Sequence, residues 1–409
     1  LVKKKQSIML LTKEFSFWLC FLIYSSCSFY LFYNQATADS GYLSDMPAYI
    51  DGVLGTNQRD PYPYRLFFWV TGVLNRFLPI GLAAAFATLL FNSLTVLILR
   101  HFTERYFCNS EHNQAVFETG FRAKLGVFMP IIVTFAGLMA SMVIIPINRI
   151  YRFSGQYYIG QGSGNVWHNA TYLATRPFAT LAFFLFIEIM KEISTGPKPK
   201  KLILFSASMF LTVFAKPTFA LVMIPTIGIV LLISLIKERF RNFKQVFFIA
   251  LTLIPAALDG LRQYFPVFAG SNEAGIGFGF GDVWSGYTNS ILLSVILCFL
   301  FSIYIIAFNL KGVKHDNPIG ISLVFTAVAL FEGIFLFEKG LRMPDGNFLQ
   351  GYLHAMFFLF IISLIVWLSE KRTRQHQTVY DITALVFFLM HIVSGIWYFA
   401  HLLAGNSFY

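Results

Sequence analysis

The chain has 409 residues, of which 56% are hydrophobic, 18% aromatic and 12% charged, with a formal charge of +11. A soluble domain carries about 25% charged residues, and a mean hydropathy of +0.64 with 48 phenylalanines exceeds what one water-soluble core absorbs. These figures exclude an ordinary cytosolic enzyme, a disordered chain and a disulfide-stapled secreted domain. They fit an all-α polytopic membrane protein, because apolar runs of the ~20 residues that cross a bilayer recur along the chain. Cys20, Cys27, Cys108 and Cys298 lack metal-ligand spacing, so no metal site or disulfide framework is indicated.

The basic residues cluster between apolar runs, at Lys3 to Lys5, Arg100 to Lys124, Lys191 to Lys201, Lys237 to Lys244, Lys311 with Lys314, and Lys371 to Arg374. That pattern is the positive-inside signature of cytoplasmic loops beside anionic lipid, and it argues against nucleic acid as the partner of the positive charge. The first predicted span, about Phe15 to Tyr33, follows a basic N-terminus. No small-residue cleavage site follows it, so it reads as a retained helix.

Residues 34–80 form the first outer loop, and its stretch PYPYRLFFWVTGVLNRF suits a helix lying in the membrane interface. Further spans are predicted at 81–100, 125–147, 169–190, 202–215, 217–236, 246–265, 289–311, 319–338, 350–369 and 379–401. The pair split by Lys216-Pro217 is the least regular, since a proline there kinks or ends a helix. The expected architecture is thus an all-α transmembrane helical bundle of eleven spans in a single transmembrane domain over 1–409, with the N-terminus cytoplasmic and the C-terminus outside. The remaining outer loops are 148–168, 266–288 and 339–349, and they hold most of the unusual polar residues.

Asp39, Asp45, Asp51 and Asp60 lie in the first outer loop. A carboxylate in a partly dry cavity there suits a general base for a hydroxyl. Ser44-Asp45 before Pro47 fits a helix N-cap equally well, and Asp51, on the far side of such a helix, reads as solvated. In the second outer loop, Arg149, Arg152 and Arg176 bracket a Gly-, amide- and aromatic-rich segment that contains Trp167, His168 and Asn169. Such groups suit sugar binding, because sugar rings offer apolar faces and many hydroxyls. The competing readings are an aromatic belt for Trp167 and a glycosylation acceptor for Asn169-Ala170-Thr171.

Lys216 is the one charge between Lys201 and Lys237. A charge within a span costs at least ~2.5 kcal/mol and marks function by default, against the alternative that it snorkels to the headgroups. Further on, Glu332 is expected to face the interior. Arg342 suits a phosphate with its guanidinium fork, or pairs with Glu338 or Asp345. The alternating Gly275, Gly277, Gly279 and Gly281 read as a mobile loop.

An acidic first outer loop, an interfacial aromatic helix and a many-span body resemble the GT-C class of membrane glycosyltransferases. SDMPAYIDGVL followed by DPYPYR is similar to their opening region, and Lys216-Pro217 is similar to a Lys-Pro pair of their middle spans. Asp45 departs from many members in standing between Ser44 and Met46, without a paired acid.

The resemblance implies inverting transfer of a sugar from a polyprenyl-phosphate-linked donor to a glycan or lipid acceptor outside the cytoplasm, and the phenylalanine-rich composition suits a bacterial plasma membrane. Asp45 would be the base, Lys216 and Arg342 would hold the donor phosphate, and no cofactor is implied, with divalent metal left open. Three other readings stand beside it. One is a polysaccharide polymerase or ligase that uses outer-loop arginines. Another is an acyltransferase of surface glycans, built on His168 or His354. The third is a flippase or transporter of lipid-linked sugars.

Overall fold

A computed structural model describes residues 2–56, 62–108, 121–143, 162–268, 275–373 and 378–406. It is 78% helical. The helices are α1 (Val2–Thr37), α2 (Met46–Leu54), α3 (Leu66–Leu74), α4 (Ile80–Cys108), α5 (Phe121–Met139), α6 (Ala170–Lys191), α7 (Pro199–Ala215), α8 (Thr218–Lys237), α9 (Phe243–Leu251), α10 (Ile254–Phe268), α11 (Ile291–Asn309), α12 (Pro318–Phe335), α13 (Leu349–Thr373) and α14 (Thr378–Leu403).

Among the described residues eight helices are long and apolar enough to cross a membrane, or nine if the pair α9 and α10, bent by 40°, is one span. The chain is therefore an integral membrane protein with an all-α polytopic bundle. Of the other two predicted spans, the first corresponds to α5, whose apolar stretch is only Gly126–Met139. The second corresponds to α7, 17 residues long.

Polar caps fix where several helices begin. The side chains of Asn169, Ser290 and Asn317 accept from Tyr172, Leu293 and Gly320 N–H at 2.8, 3.3 and 2.8 Å, satisfying donors that an α-helix leaves orphaned. Helix α13 forms the central column and packs most extensively on α12, while α6 lies between α4 and α7. Aromatic pairs such as Phe183 with Phe358, 4.2 Å apart and stacked, weld α6 to α13.

The chain after α5 does not simply leave the bundle. Residues 140–143 run irregularly and buried, and Val143 N–H donates to the Leu297 carbonyl of α11 at 3.1 Å. That carbonyl is the usual acceptor of Phe301 N–H. His391 of α14 takes the Phe301 N–H on Nε2 at 3.2 Å, while its Nδ1 lies 2.6 Å from the Ser141 carbonyl. Irregular backbone at membrane depth is tolerated only where protein or a cavity satisfies it, and here His391 supplies the missing partners. Residues 162–168, expected in an outer loop, are also buried, with Met142 N–H donating to the Gly162 carbonyl at 3.1 Å.

The alternating glycines do not form a loose loop. Strand β1 (Ile276–Phe278) pairs antiparallel with β2 (Leu336–Glu338), in the register Ile276 to Glu338 and Phe278 to Leu336. A Cβ at Gly277 would fall 2.3 Å from the Phe337 ring, so this ladder needs a residue without a side chain there. Strand β1 lies in the third predicted outer loop, and β2 is the end of the span predicted at 319–338, next to the fourth.

Candidate functional site

The site is built around the break between α7 and α8. Pro217 has no N–H, so the Val213 carbonyl, four residues earlier, loses its helical donor. Gln263 of α10 replaces it, donating Nε2–H at 2.8 Å. The neighbouring Phe214 carbonyl accepts from Arg65 N–H at 2.9 Å, at the entry to α3. Thr175 of α6 directs its hydroxyl to the Lys216 carbonyl at 3.4 Å. Three separate elements thus complete a broken helix end. They hold Lys216 in an extended conformation, with φ −172° and ψ 128°.

Lys216 is 4% exposed, so it does not snorkel to the surface. Its Nζ sits 5.7 Å from the centroid of Tyr64, in a wall formed by Tyr49, Tyr62, Tyr64 and Phe68. Burial lowers the lysine to about 8, against the upward pull of the Asp45, Asp345 and Glu338 charges. Both loops that carry these acids therefore lie within its electrostatic reach.

Asp45 occupies the N-cap position of α2, with Pro47 in the first turn, yet its side chain makes no cap bond. The carboxylate turns to Asn169, which donates Nδ2–H to Oδ2 at 2.7 Å. Asp45 N–H donates to the His168 carbonyl at 3.1 Å, so two bonds clamp the first outer loop to the start of α6. Burial raises the Asp45 carboxyl above its ordinary range; the Lys216 charge and the Asn169 bond oppose that shift. Asp51 is exposed, as expected of a solvated neighbour. Its carboxylate accepts from the Thr56 hydroxyl at 3.2 Å.

Asn169 is 3% exposed and has both ends of its amide engaged, which leaves no room for a glycan on its sequon. The Thr171 hydroxyl lies 2.9 Å from Asn169 Oδ1 and 3.0 Å from the Tyr49 hydroxyl. His168 is buried too, and burial lowers its imidazole to about 3, with the Lys216 charge acting in the same direction. A neutral ring is thus held beside the lysine.

Trp167 belongs to the packing, in place of a sugar-stacking surface or an aromatic belt. It is fully buried, its Nε1–H donates to the Tyr24 hydroxyl at 3.3 Å, and its ring lies 4.6 Å from that of Phe399. Arg342 pairs with Glu338, through Nε–H to Oε2 at 3.0 Å, and Asn347 donates to the same oxygen at 2.8 Å. Its guanidinium is 36% exposed and lies within electrostatic reach of Lys216. Arg149, Arg152 and Asp60 fall outside the described residues.

The structure thus brings Asp45, His168, Asn169, Lys216 and Arg342 to one locus. It withdraws Trp167 from the locus into the core. Glu332 is buried in α12, and among the described residues no hydrogen bond or ion pair reaches its carboxylate.

Sequence reasoning missed the role of Arg176. Grouped beforehand with Arg149 and Arg152 around the second outer loop, it lies inside α6, roughly 9 Å below the helix start at 1.5 Å per residue, and is fully buried. Its two terminal nitrogens donate to Asn165 Oδ1 and, at 2.8 Å, to Asn92 Oδ1. The available signal was the helical spacing of Asn169, Tyr172 and Arg176 ahead of Pro177.

Among the described residues no group of three or more His, Cys, Asp or Glu side chains is arranged to hold a metal ion. No protein-family model, curated protein or solved structure matches the chain.

Proposed function

We propose that this protein is a membrane glycosyltransferase of the GT-C kind. In this reading it moves a sugar from a polyprenyl-phosphate-linked donor to a glycan or lipid acceptor at the non-cytoplasmic face. Asp45 is the general base. It takes the proton of the acceptor hydroxyl as that oxygen attacks the anomeric carbon, and the bond to the phosphate breaks on the opposite face with inversion. The phosphate leaves as an anion, and Lys216, aided by Arg342, stabilises the charge that grows on it. His168 and Asn169 border the acceptor side, and Asn169 also aims the base.

The observation that carries this reading is the Asp45 carboxylate. It stands at a capping position, does not cap, and is restrained by Asn169 within electrostatic reach of a buried lysine. A carboxylate that served only to start α2 would bond to the backbone of that helix. Eleven crossings, with α9 and α10 as one, α5 and α7 as short spans, and α3 lying in the interface, would place this locus at the outer leaflet with the N-terminus cytoplasmic.

The test is Asp45→Asn, which keeps a capping-competent side chain and removes the base. Expected is a protein that folds and inserts normally and has lost transfer by at least a hundredfold. Transfer at the wild-type rate would end the catalytic assignment.

A second reading, translocation of a lipid-linked sugar, draws on the irregular buried backbone at 140–143 and 162–169, a feature of broken-helix transporters. Flipping of a fluorescent lipid-linked sugar in proteoliposomes, unaffected by Asp45→Asn, would favour it.

A further inference from the structure

Behind the Asp45–Lys216 locus lies a second polar cluster that the transfer chemistry does not use. Tyr172 and Arg176 stand one turn apart on α6. The Tyr172 ring stacks on the His354 imidazole of α13, with centroids 4.3 Å apart at 18°. Arg176 lies over Phe357, three residues further along α13, at 5.3 Å. The N-terminus of α8 closes the group: Phe219 packs edge-on against His354 at 5.6 Å, and Thr218 comes before it. Tyr172, Arg176 and His354 are fully buried, and Thr218 is 2% exposed.

Among the described residues, five polar atoms of this cluster lack a hydrogen-bond partner. The Tyr172 hydroxyl, both His354 ring nitrogens, Arg176 Nε and the Thr218 hydroxyl are all buried with no hydrogen bond. Each such atom carries a penalty of about 1–3 kcal/mol when left unsatisfied, and buried polar groups are paired in the great majority of proteins. The sign of the charge is equally one-sided. Among the described residues no carboxylate pairs with Arg176, whose terminal nitrogens go to two neutral amides. His354 feels the charges of both Arg176 and Lys216, and the first turn of α8 adds the positive end of a helix dipole.

We infer that Tyr172, Arg176, Thr218 and His354 form an enclosed binding site for a tetrahedral oxyanion of the phosphate class. Four donors, from Arg176 Nε, one His354 nitrogen and the two hydroxyls, match the several acceptor oxygens of such an ion better than the single sphere of a halide. The anion would neutralise a guanidinium that no carboxylate among the described residues balances. This inference does not rest on the glycosyltransferase reading, because it needs neither Asp45 nor a reaction. The phosphate group can be a free ion or one borne on a lipid.

The test uses the purified chain in a maltoside detergent, which carries no phosphate, with inorganic phosphate as the probe and isothermal titration as the measurement. Wild-type protein is expected to bind phosphate saturably, in a manner that equal ionic strength of chloride does not abolish. Tyr172→Phe preserves the stack and removes one hydroxyl, and His354→Gln removes the imidazole. Each is expected to weaken binding about tenfold, as loss of a hydrogen bond to a charged group does.

Asp45→Asn is expected to bind phosphate like the wild type, which separates failure of this site from failure of the proposed transferase. A polyprenyl phosphate added to the micelles will displace the probe if the lipid is the source, and will leave it in place if the free ion is. Both results keep the site. Absence of saturable binding, or binding unchanged in both Tyr172→Phe and His354→Gln, would overturn it and leave water as the partner of these groups.

Discussion

Asn169 divides its amide between two tasks: Oδ1 accepts from Tyr172 N–H at 2.8 Å to start α6, and Nδ2–H donates to the Asp45 carboxylate at 2.7 Å. A helix cap is a rigid mount, so the Asp45 carboxylate is tied to the position of α6. If the proposed transfer reaction holds, Asn169 is a positioning residue that acts on it through Asp45.

Asn169→Asp separates the two tasks. Aspartate caps as well as asparagine, so α6 is expected to keep its start and the protein its unfolding temperature to within a few degrees. The donor to Asp45 is gone, however, and a second carboxylate takes its place. Two acids at that distance do not both ionise easily, and the pair titrates at higher pH. The acid limb of the transfer rate against pH should therefore move upward by about one unit or more. A profile with its acid limb unmoved would show that the base is elsewhere.

The same profile reports on Lys216. Its charge is lost as pH rises through about 8, because burial favours the neutral amine. The Asp45 carboxyl is raised by burial, so it stays protonated, and useless as a base, to a higher pH than an exposed aspartate. Transfer should accordingly rise as Asp45 ionises and fall again above about pH 8. In Lys216→Arg the guanidinium stays charged past pH 12, so the alkaline fall should vanish even if the maximal rate drops. An alkaline limb that survives in this variant would assign it to another group.

The Lys216-Pro217 break makes a prediction about stability. Gln263→Ala removes the donor to the Val213 carbonyl, which Pro217 has already deprived of its helical partner. Leaving that acceptor bare should cost about 1–3 kcal/mol, read as a lowered midpoint in thermal or denaturant unfolding. Pro217→Ala restores the backbone N–H and invites α7 and α8 to run on as one helix. Lys216 would then rotate with the helix, and donor binding should weaken even though no contact residue has changed.

Much of this locus was legible in the sequence, for reasons that differ by residue. Lys216 stood out because a lone charge in a long apolar stretch is expensive and must have a use. Asp45 stood out through the Ser-Asp-x-Pro pattern. Its place at the start of α2 was read correctly, but the bond was not, because the partner lies 124 residues away.

Arg176 fell within the predicted span 169–190 yet was grouped with the arginines around the second outer loop, because its partners Asn165 and Asn92 lie in other segments that the sequence does not bring together. The strands β1 and β2 have three residues each, too few for an alternation to show, and glycines replace the β-branched residues that mark a strand. His391 gave no signal at all. A histidine within an apolar helix carries no periodicity, and its role arises only where three segments meet.

That meeting point yields the last prediction. His391 bridges the Phe301 N–H and the Ser141 carbonyl, and one turn further on Gly395 lets the Met139 carbonyl approach so closely that a Cβ would stand 1.5 Å from it. His391→Phe keeps the ring volume and removes both hydrogen bonds, so the Phe301 N–H loses its acceptor inside the bundle. A loss of about 1–3 kcal/mol is expected for that unsatisfied donor. Gly395→Ala forces α14 away from the end of α5, since a backbone oxygen cannot yield as a flexible side chain does. Both variants should therefore express poorly and unfold early. The molecules that do fold should keep wild-type transfer per folded protein, because neither residue touches Asp45 or Lys216. A His391→Phe protein with normal stability and lost transfer would instead place this junction in the reaction itself, and would favour the irregular segment at 140–143 as part of a substrate path.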